Sequence, residues 1–243
     1  MKKLFFFIFI FLSIFSHSKS QEILSNTLVL VDFSDSYFRP DEKNRQMKVE
    51  KAVDETFRLI KKSFEFVPKN SLIQVLPIND LSMESPILCE IELAETNLIG
   101  EAIGDRGIVD EDELDIRLNL CKKIIFKQNM AGGTDITGAL RKAVNLSNSQ
   151  ALSDDYKTII IISDYIEFRG GGSINFKGED KLDVSNFKFL LVHSLDYQRG
   201  DFFIESKKYA KEFSDRLKAM GAKKIFIVPE SSRFSDKMLR KVF

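Results

Sequence analysis

The feature that most constrains the fold of this chain is an unbroken apolar run that stops at a carboxylate. Residues 28–31 are four consecutive apolar residues, and Asp32 follows them directly. A strand that is apolar at successive positions is buried on both faces, as in the centre of a parallel sheet. Residues 158–164, TIIIISD, repeat the pattern and end in Asp164. These two runs predict an α/β fold with neighbouring parallel strands.

Three oxygen-bearing side chains follow the first run at alternating positions. Asp32, Ser34 and Ser36 lie in the segment LVLVDFSDSY, residues 28–37, so a loop leaving the strand can direct a carboxylate and two hydroxyls to one point. Hard oxygen donors suit a small hard cation such as Mg²⁺ better than zinc or iron. A simpler interpretation is that the two serines cap a following helix.

Two later segments carry further oxygen ligands. Residues 131–139, AGGTDITGA, place Thr134 after a pair of glycines and before an amphipathic helix. Asp164 ends the second apolar run. Ligands of open α/β sheets bind at the carboxyl ends of the strands, where the strand order reverses. We therefore expect five side chains to converge at this edge of the sheet: Asp32, Ser34, Ser36, Thr134 and Asp164.

This five-residue pattern resembles the metal-ion-dependent adhesion site (MIDAS) of the von Willebrand factor A (VWA) domain family. The family's site is Asp-x-Ser-x-Ser, then a Thr in a second loop and an Asp in a third, and all are matched here in order. The resemblance covers the chain from about Thr27 to its end. It implies a Rossmann-like, doubly wound, mostly parallel six-stranded sheet with helices on both faces. It also implies one divalent ion, Mg²⁺ with Mn²⁺ or Ca²⁺ as alternatives, whose open position takes a partner protein's Asp or Glu.

Three residues near the motif need comment. Many family members follow the last Asp with Gly, whereas this chain has Tyr165, which leaves the conformation of the third loop open. Asp35 and Asp135 adjoin the motif, but the family pattern does not use them as ligands. We interpret both as loop-shaping side chains that bond nearby backbone amides.

Enzymatic interpretations find little support in the sequence. The nearest is a magnesium-dependent haloacid dehalogenase-like phosphohydrolase, which also begins with a buried strand ending in Asp. That chemistry needs a second carboxylate two residues on as general acid and base, but Ser34 carries a hydroxyl whose pKa is far above neutrality and which cannot take that role at pH 7. His193 is the only histidine after His17, so a multi-histidine zinc site is excluded and no catalytic constellation is found. A metal-free VWA scaffold subunit is a third alternative.

The first 20 residues have the pattern of an export signal. Lys2 and Lys3 precede an apolar run over 4–15, and small residues allow cleavage before Gln21. The run is shorter than the about 20 residues of a transmembrane helix, so we expect no stable membrane span after cleavage. The product would be exported, periplasmic or secreted, with residues 21–243 as one VWA-like domain. An uncleaved N-terminal anchor is the alternative.

Charge and cysteine content add two constraints. The 36 Lys and Arg residues are balanced by 36 Asp and Glu residues, which argues against a nucleic-acid binder. Cys89 and Cys121 are the only cysteines. In an exported chain they could form a disulfide, or each could be a small buried hydrophobe.

Hydrophobic periodicity predicts the remaining elements. Pro77 predicts a strand end or edge, because proline cannot donate to the ladder. A long loop over 165–186 would leave the same sheet edge as the metal-type site, where it would help choose the partner or form a surface insertion. The predicted helices span 49–67, 114–125, 136–144, 205–220 and 235–243, and the further strands span 72–78, 87–93, 187–192 and 224–228.

Overall fold

The apolar runs form the centre of a six-stranded sheet. The computed structural model describes residues 25–34, 37, 54, 57–58, 61–62, 66, 71–93, 111–126, 133–149, 157–166, 182–194, 197–199, 202–230 and 236–243. The strands are β1 (Ser25–Asp32), β2 (Ser71–Ile78), β3 (Cys89–Leu93), β4 (Lys157–Ser163), β5 (Phe187–His193), β6 (Tyr197–Arg199), β7 (Phe202–Ile204) and β8 (Lys224–Pro229). The helices are α1 (Glu111–Phe126), α2 (Ile136–Ser149), α3 (Ser206–Ala219) and α4 (Asp236–Val242).

The strand order explains why the first run is apolar throughout. The order is β3-β2-β1-β4-β5-β8, in which β3 pairs antiparallel with β2 and the other pairs are parallel. Every residue of β1 and β4 is buried, because each strand has a neighbour on both sides and helices cover both faces of the sheet. The chain winds outward from β1 to β3 and returns at β4, so the order reverses between β1 and β4. Their carboxyl ends therefore border the crevice where such sheets bind ligands.

Helices cover both faces of the sheet, as predicted. On one face, α1 and α4 contribute apolar residues to the hydrophobic core that contains Val29 and Val31 of β1. On the other face, α2 and α3 contribute to the core that contains Leu28 and Leu30. Alternate residues of one strand thus supply two hydrophobic layers, which makes β1 the centre of the fold.

Several elements differ from the sequence prediction or lie beyond it. The separate hairpin of β6 and β7 was not predicted, because strands of three residues are too short to show a period. Pro77 lies in β2, and β3 pairs with β2 only as far as Val75, so Pro77 occupies an edge-like strand end as expected. Most of the helix predicted over 49–67, and most of the loop over 165–186, lie outside the described residues.

A disulfide joins Cys89 of β3 to Cys121 of α1. Of the two alternatives that the sequence left open, a disulfide or two separate buried thiols, the structure has the disulfide. The bond spans a sequence separation of 32 and ties the antiparallel edge strand to the helix that packs beside it. The export signal predicted over residues 1–20 lies outside the described ranges. No helix within those ranges is both long and apolar enough to cross a membrane.

Candidate metal site

Four of the five predicted ligands lie within the described residues, and all four are buried. Asp32 ends β1, Ser34 lies two residues beyond it, Thr134 shortly precedes α2, and Asp164 directly follows β4. Each of these side chains is at most 1% exposed. Ser36 lies outside the described residues.

The carboxylate of Asp32 is held by two neighbouring segments. The Ser34 N–H donates to Oδ1 at 2.8 Å, and the Ser163 hydroxyl donates to Oδ2 at 2.5 Å. Ser163 ends β4 and lies beside Asp32 because Val31 pairs with Ile162 in the parallel register. Ser163 was not among the predicted site residues, although the pairing of the two apolar runs identifies it as the cross-strand neighbour of Asp32.

Asp32 and Asp164 place two carboxylates in the same buried region. The pKa of Asp32 is raised from 3.8 to about 7, first by burial and second by the negative charge of Asp164, while hydrogen bonds from Ser163 and Ser34 lower it. A charge effect on a pKa requires the two groups to be close. Two carboxylates in a dry environment repel each other and lose solvation. A divalent cation between them would offset both costs, so the charges of this site fit a metal.

Tyr165 takes the left-handed backbone conformation that glycine favours. Its φ is 62°, which costs a non-glycine residue roughly 1–2 kcal/mol. Its side chain is 1% exposed, its hydroxyl donates to the Ile161 carbonyl at 2.8 Å, and its ring centroid lies 5.6 Å from that of Phe213. Its N–H donates to Ser163 Oγ at 2.9 Å. Packing and hydrogen bonds thus hold Tyr165, at the start of the third loop, in a glycine-like conformation.

Replacing Tyr165 with Gly is expected to destabilise the protein although Gly fits this backbone. Relief of the left-handed strain is worth roughly 1–2 kcal/mol, whereas loss of a buried aromatic side chain costs about 3–5 kcal/mol. Urea unfolding should show a net loss of about 2 kcal/mol for Tyr165→Gly. The Tyr165→Phe control, which loses only the hydroxyl bond, should lose about 1 kcal/mol. A Gly variant as stable as the wild type would contradict a supporting role for the tyrosine side chain.

The second loop is tied to the end of β2. The Asp135 N–H donates to the Asn79 carbonyl at 2.9 Å, which places the adjacent Thr134 at the carboxyl edge of the sheet. Oδ1 of Asp135 accepts the Gly138 N–H at 2.8 Å and so caps α2, which is the loop-shaping role expected of it. A Cβ at Gly138 would lie 2.7 Å from Asp135 Cγ, so glycine leaves room for this cap. Asp35 lies outside the described residues.

The hydroxyl of Ser34 also has a structural contact. It accepts the Tyr37 N–H at 3.4 Å, so the helix-capping interpretation holds in part. A bond of this length is weak, and a hydroxyl oxygen carries two lone pairs. Capping and metal coordination by Ser34 are therefore compatible.

The donor set of the site is made of oxygen atoms alone. The described candidates are the carboxylates of Asp32 and Asp164 and the hydroxyls of Ser34 and Thr134, all buried, and Mg²⁺ commonly uses one or two carboxylates and retains several waters. Within the described ranges, no three His, Cys, Asp or Glu side chains are grouped as a metal cluster. Since the acidic side chains here number two, hydroxyls and water would supply the remaining ligands.

No protein-family model matches this chain, and no curated protein sequence matches it. The solved structures to which it is similar include VWA domains. A von Willebrand factor type A protein from Catenulispora acidiphila has a TM-score of 0.48 at 11% identity, over 90% of this chain and 40% of that one. The proximal thread matrix protein 1 of the mussel byssus, with a zinc-occupied MIDAS motif, has 0.41 at 17% identity, over 82% and 48%. The SpRpn10 VWA domain has 0.40 at 11% identity, over 90% and 94%.

The likeness to these structures is one of general fold. This chain spans less than half the length of the first two proteins, 40% and 48% respectively. Identities of 11–17% show nothing about ligands or partners. The metal-site hypothesis therefore depends on this chain's own residues and on where the sheet places them.

Proposed function

We propose that this protein is an exported, metal-dependent interaction module that binds an Asp or Glu carboxylate of a partner protein through a divalent cation. The observation that carries the proposal is the buried pair of Asp32 and Asp164 at the ends of two adjacent central strands. Ser34 and Thr134 lie in loops at the same sheet edge. By the family pattern, Ser36 completes the five ligands. Mg²⁺ is the preferred ion, with Mn²⁺ and Ca²⁺ as alternatives.

The ligand types explain why such a site would capture a carboxylate. The hydroxyls of Ser34, Ser36 and Thr134 would bind the ion without neutralising it, while Asp32 and Asp164 would bind directly or through water. A bound Mg²⁺ supplies an electrophilic position that prefers a further oxygen anion. The chain's own part is to orient Asp32, which the hydrogen bonds from Ser163 and Ser34 accomplish.

The phosphohydrolase alternative is weaker on the same geometry. Both oxygens of Asp32 accept hydrogen bonds, and the position two residues on is a hydroxyl rather than an acid. Hydrolysis of p-nitrophenyl phosphate by the wild type in Mg²⁺, lost in Asp32→Asn, would favour that alternative. The metal-free scaffold alternative is tested by the metal titration below.

Export is proposed on two independent observations. The N-terminal 20 residues have the pattern of a signal peptide, and the Cys89–Cys121 disulfide is a bond that persists in oxidising compartments. The mature protein would then be a single domain over 21–243, acting in the periplasm or outside the cell.

Mg²⁺ is expected to stabilise the wild-type protein because it binds the folded state alone. Mass action predicts a gain of about 2.7 kcal/mol at a free concentration of 100 Kd. Urea unfolding at pH 7.5 in metal-free buffer, with and without Mg²⁺, measures this gain. Asp32→Ala and the shape-conserving Thr134→Val should lose it. Asp215→Ala, which removes an exposed carboxylate on α3, should keep it.

Two results would overturn the metal proposal. The first is a wild-type protein whose unfolding midpoint is unchanged by millimolar Mg²⁺, Mn²⁺ and Ca²⁺. The second is an equal gain in Asp32→Ala, in Thr134→Val and in the wild type, since binding would then occur elsewhere on the protein.

A further inference from the structure

A cavity lies beyond the metal-type site on the same edge of the sheet. Ser163 pairs with His193 at the end of β5, and His193 pairs with Pro229 at the end of β8. Asp32 adjoins Ser163 through their hydrogen bond. With strands about 4.8 Å apart, His193 lies about 10 Å and Pro229 about 14 Å from Asp32 along this row.

The cavity has a volume of about 740 Å³, and its lining carries more basic than acidic side chains. It is lined by His193, Glu205, Lys207, Lys208, Lys211, Ile227 and Pro229. The three lysines outnumber the one glutamate, Glu205, which pairs with Lys208. His193 is only 6% exposed, so the accessible part of its ring faces this cavity. Its Nδ1 is hydrogen-bonded to the Ser194 carbonyl at 2.8 Å. Within the described part of the chain, Nε2 is therefore the ring nitrogen that is available to a ligand.

The start of α3 adds to the positive character of the cavity. Glu205 is the N-cap residue, but its side chain makes no capping bond and instead accepts from Lys208 Nζ at 3.1 Å. The first-turn amides of α3 therefore contribute the positive end of the helix dipole beside the lysines. The hydroxyl of Ser206, the first residue of α3, is buried and has no hydrogen-bond partner.

We propose that this cavity is a second, metal-independent subsite for an acidic peptide segment. The proposal extends the proposed function, because one partner would reach both sites. Ammonium groups and amides attract carboxylates, while Ile227, which is 37% exposed, and Pro229 offer an apolar wall that suits a peptide better than a free inorganic anion. An extended peptide advances about 3.3 Å per residue. A separation of about 10–14 Å therefore matches two acidic residues three or four positions apart.

The test is an NMR titration of the ¹⁵N-labelled protein in metal-free buffer. The probe is a blocked peptide with two glutamates four positions apart and a leucine between them. We expect its amide shifts to concentrate at His193, Ser206 and Lys207. The variant Lys208→Glu/Lys211→Glu should raise the Kd at least fivefold. The control Lys218→Glu/Lys223→Glu makes the same charge change at the opposite end of α3, in its last turn and just beyond it, and should stay within twofold.

The outcomes separate this subsite from the metal site. Binding that appears only after Mg²⁺ is added and is unaffected by Lys208→Glu/Lys211→Glu would overturn the subsite and leave the metal proposal standing. If the wild type binds the peptide without metal, the Lys208→Glu/Lys211→Glu variant does not, and Mg²⁺ changes neither result, the subsite is supported and the metal proposal is weakened. The subsite proposal would be overturned by amide shifts scattered over the surface, or by an equal loss of peptide affinity in the control variant. It would also be overturned by inorganic phosphate or a single-stranded oligonucleotide that saturates the same amides more tightly than the peptide.

Discussion

The Cys89→Ala/Cys121→Ala variant is expected to lose about 4 kcal/mol of unfolding free energy. The disulfide closes a sequence separation of 32, and chain-entropy arguments give about 3–4 kcal/mol for a loop of that size. Both sulfurs also lie in buried contact with the core of one sheet face, so their removal adds a packing loss. Urea unfolding without reductant measures the difference from the wild type.

Reduction supplies the matched control for the disulfide. The wild type in reductant should approach the stability of the double variant, and the variant should not respond to reductant at all. The Mg²⁺ gain should survive in the variant, because Cys89 and Cys121 lie on β3 and α1 rather than at the ends of β1 and β4. A loss below about 1 kcal/mol would show that the unfolded chain is little constrained by the bond.

In metal-free solution, the stability of the wild type is expected to fall as the pH rises from about 4 to about 7. The pKa of Asp32 is raised to about 7 in the folded protein by burial and by the charge of Asp164, against 3.8 for an ordinary aspartate side chain. Between these values, the folded state retains a proton that the unfolded state has released. One such group lowers the unfolding free energy by about 1.4 kcal/mol per pH unit. Above the folded pKa, both states are ionised and this contribution stops changing.

The measurement is the difference between the wild type and Asp32→Asn, since other groups titrate in both. Urea unfolding at several pH values from 4.5 to 6.5 should show the unfolding free energy of the wild type falling more steeply than that of Asp32→Asn, by about 1.4 kcal/mol per pH unit. Asn keeps an acceptor for the Ser34 amide. Asp215→Asn, at an exposed carboxylate, should track the wild type. Parallel curves for the wild type and Asp32→Asn would refute the shifted pKa.

The centre of the fold could be predicted from the sequence because its signals are local. A strand whose two faces are both covered by helices is apolar at successive positions, and residues 28–31 and 159–162 show that pattern directly. The stripe of α1, with Leu114, Leu118 and Cys121 buried, follows from the helical period alone. The positions of Asp32 and Asp164 at strand ends follow from where these runs stop.

The remaining features depend on contacts that no local pattern encodes. Ser163 acts on Asp32 only through the β1–β4 register. Tyr165 holds a positive φ because Phe213 and the Ile161 carbonyl contact its side chain. The cysteine pairing stayed open in the sequence because spacing along the chain does not give the distance between a strand and a helix.

The hydrogen bond between Asp32 and Ser163 joins residues 131 positions apart. This separation determines at what stage of folding the site can form. Adjacent parallel strands can be joined only by a crossover connection, and contacts so distant along the chain form late because the intervening loop has to close first. A polypeptide still emerging from the ribosome, with residues from 157 onward not yet synthesised, contains Asp32 but lacks the β4 strand that holds its carboxylate. The arrangement around Asp32 can therefore form only once β4 has been added to the sheet.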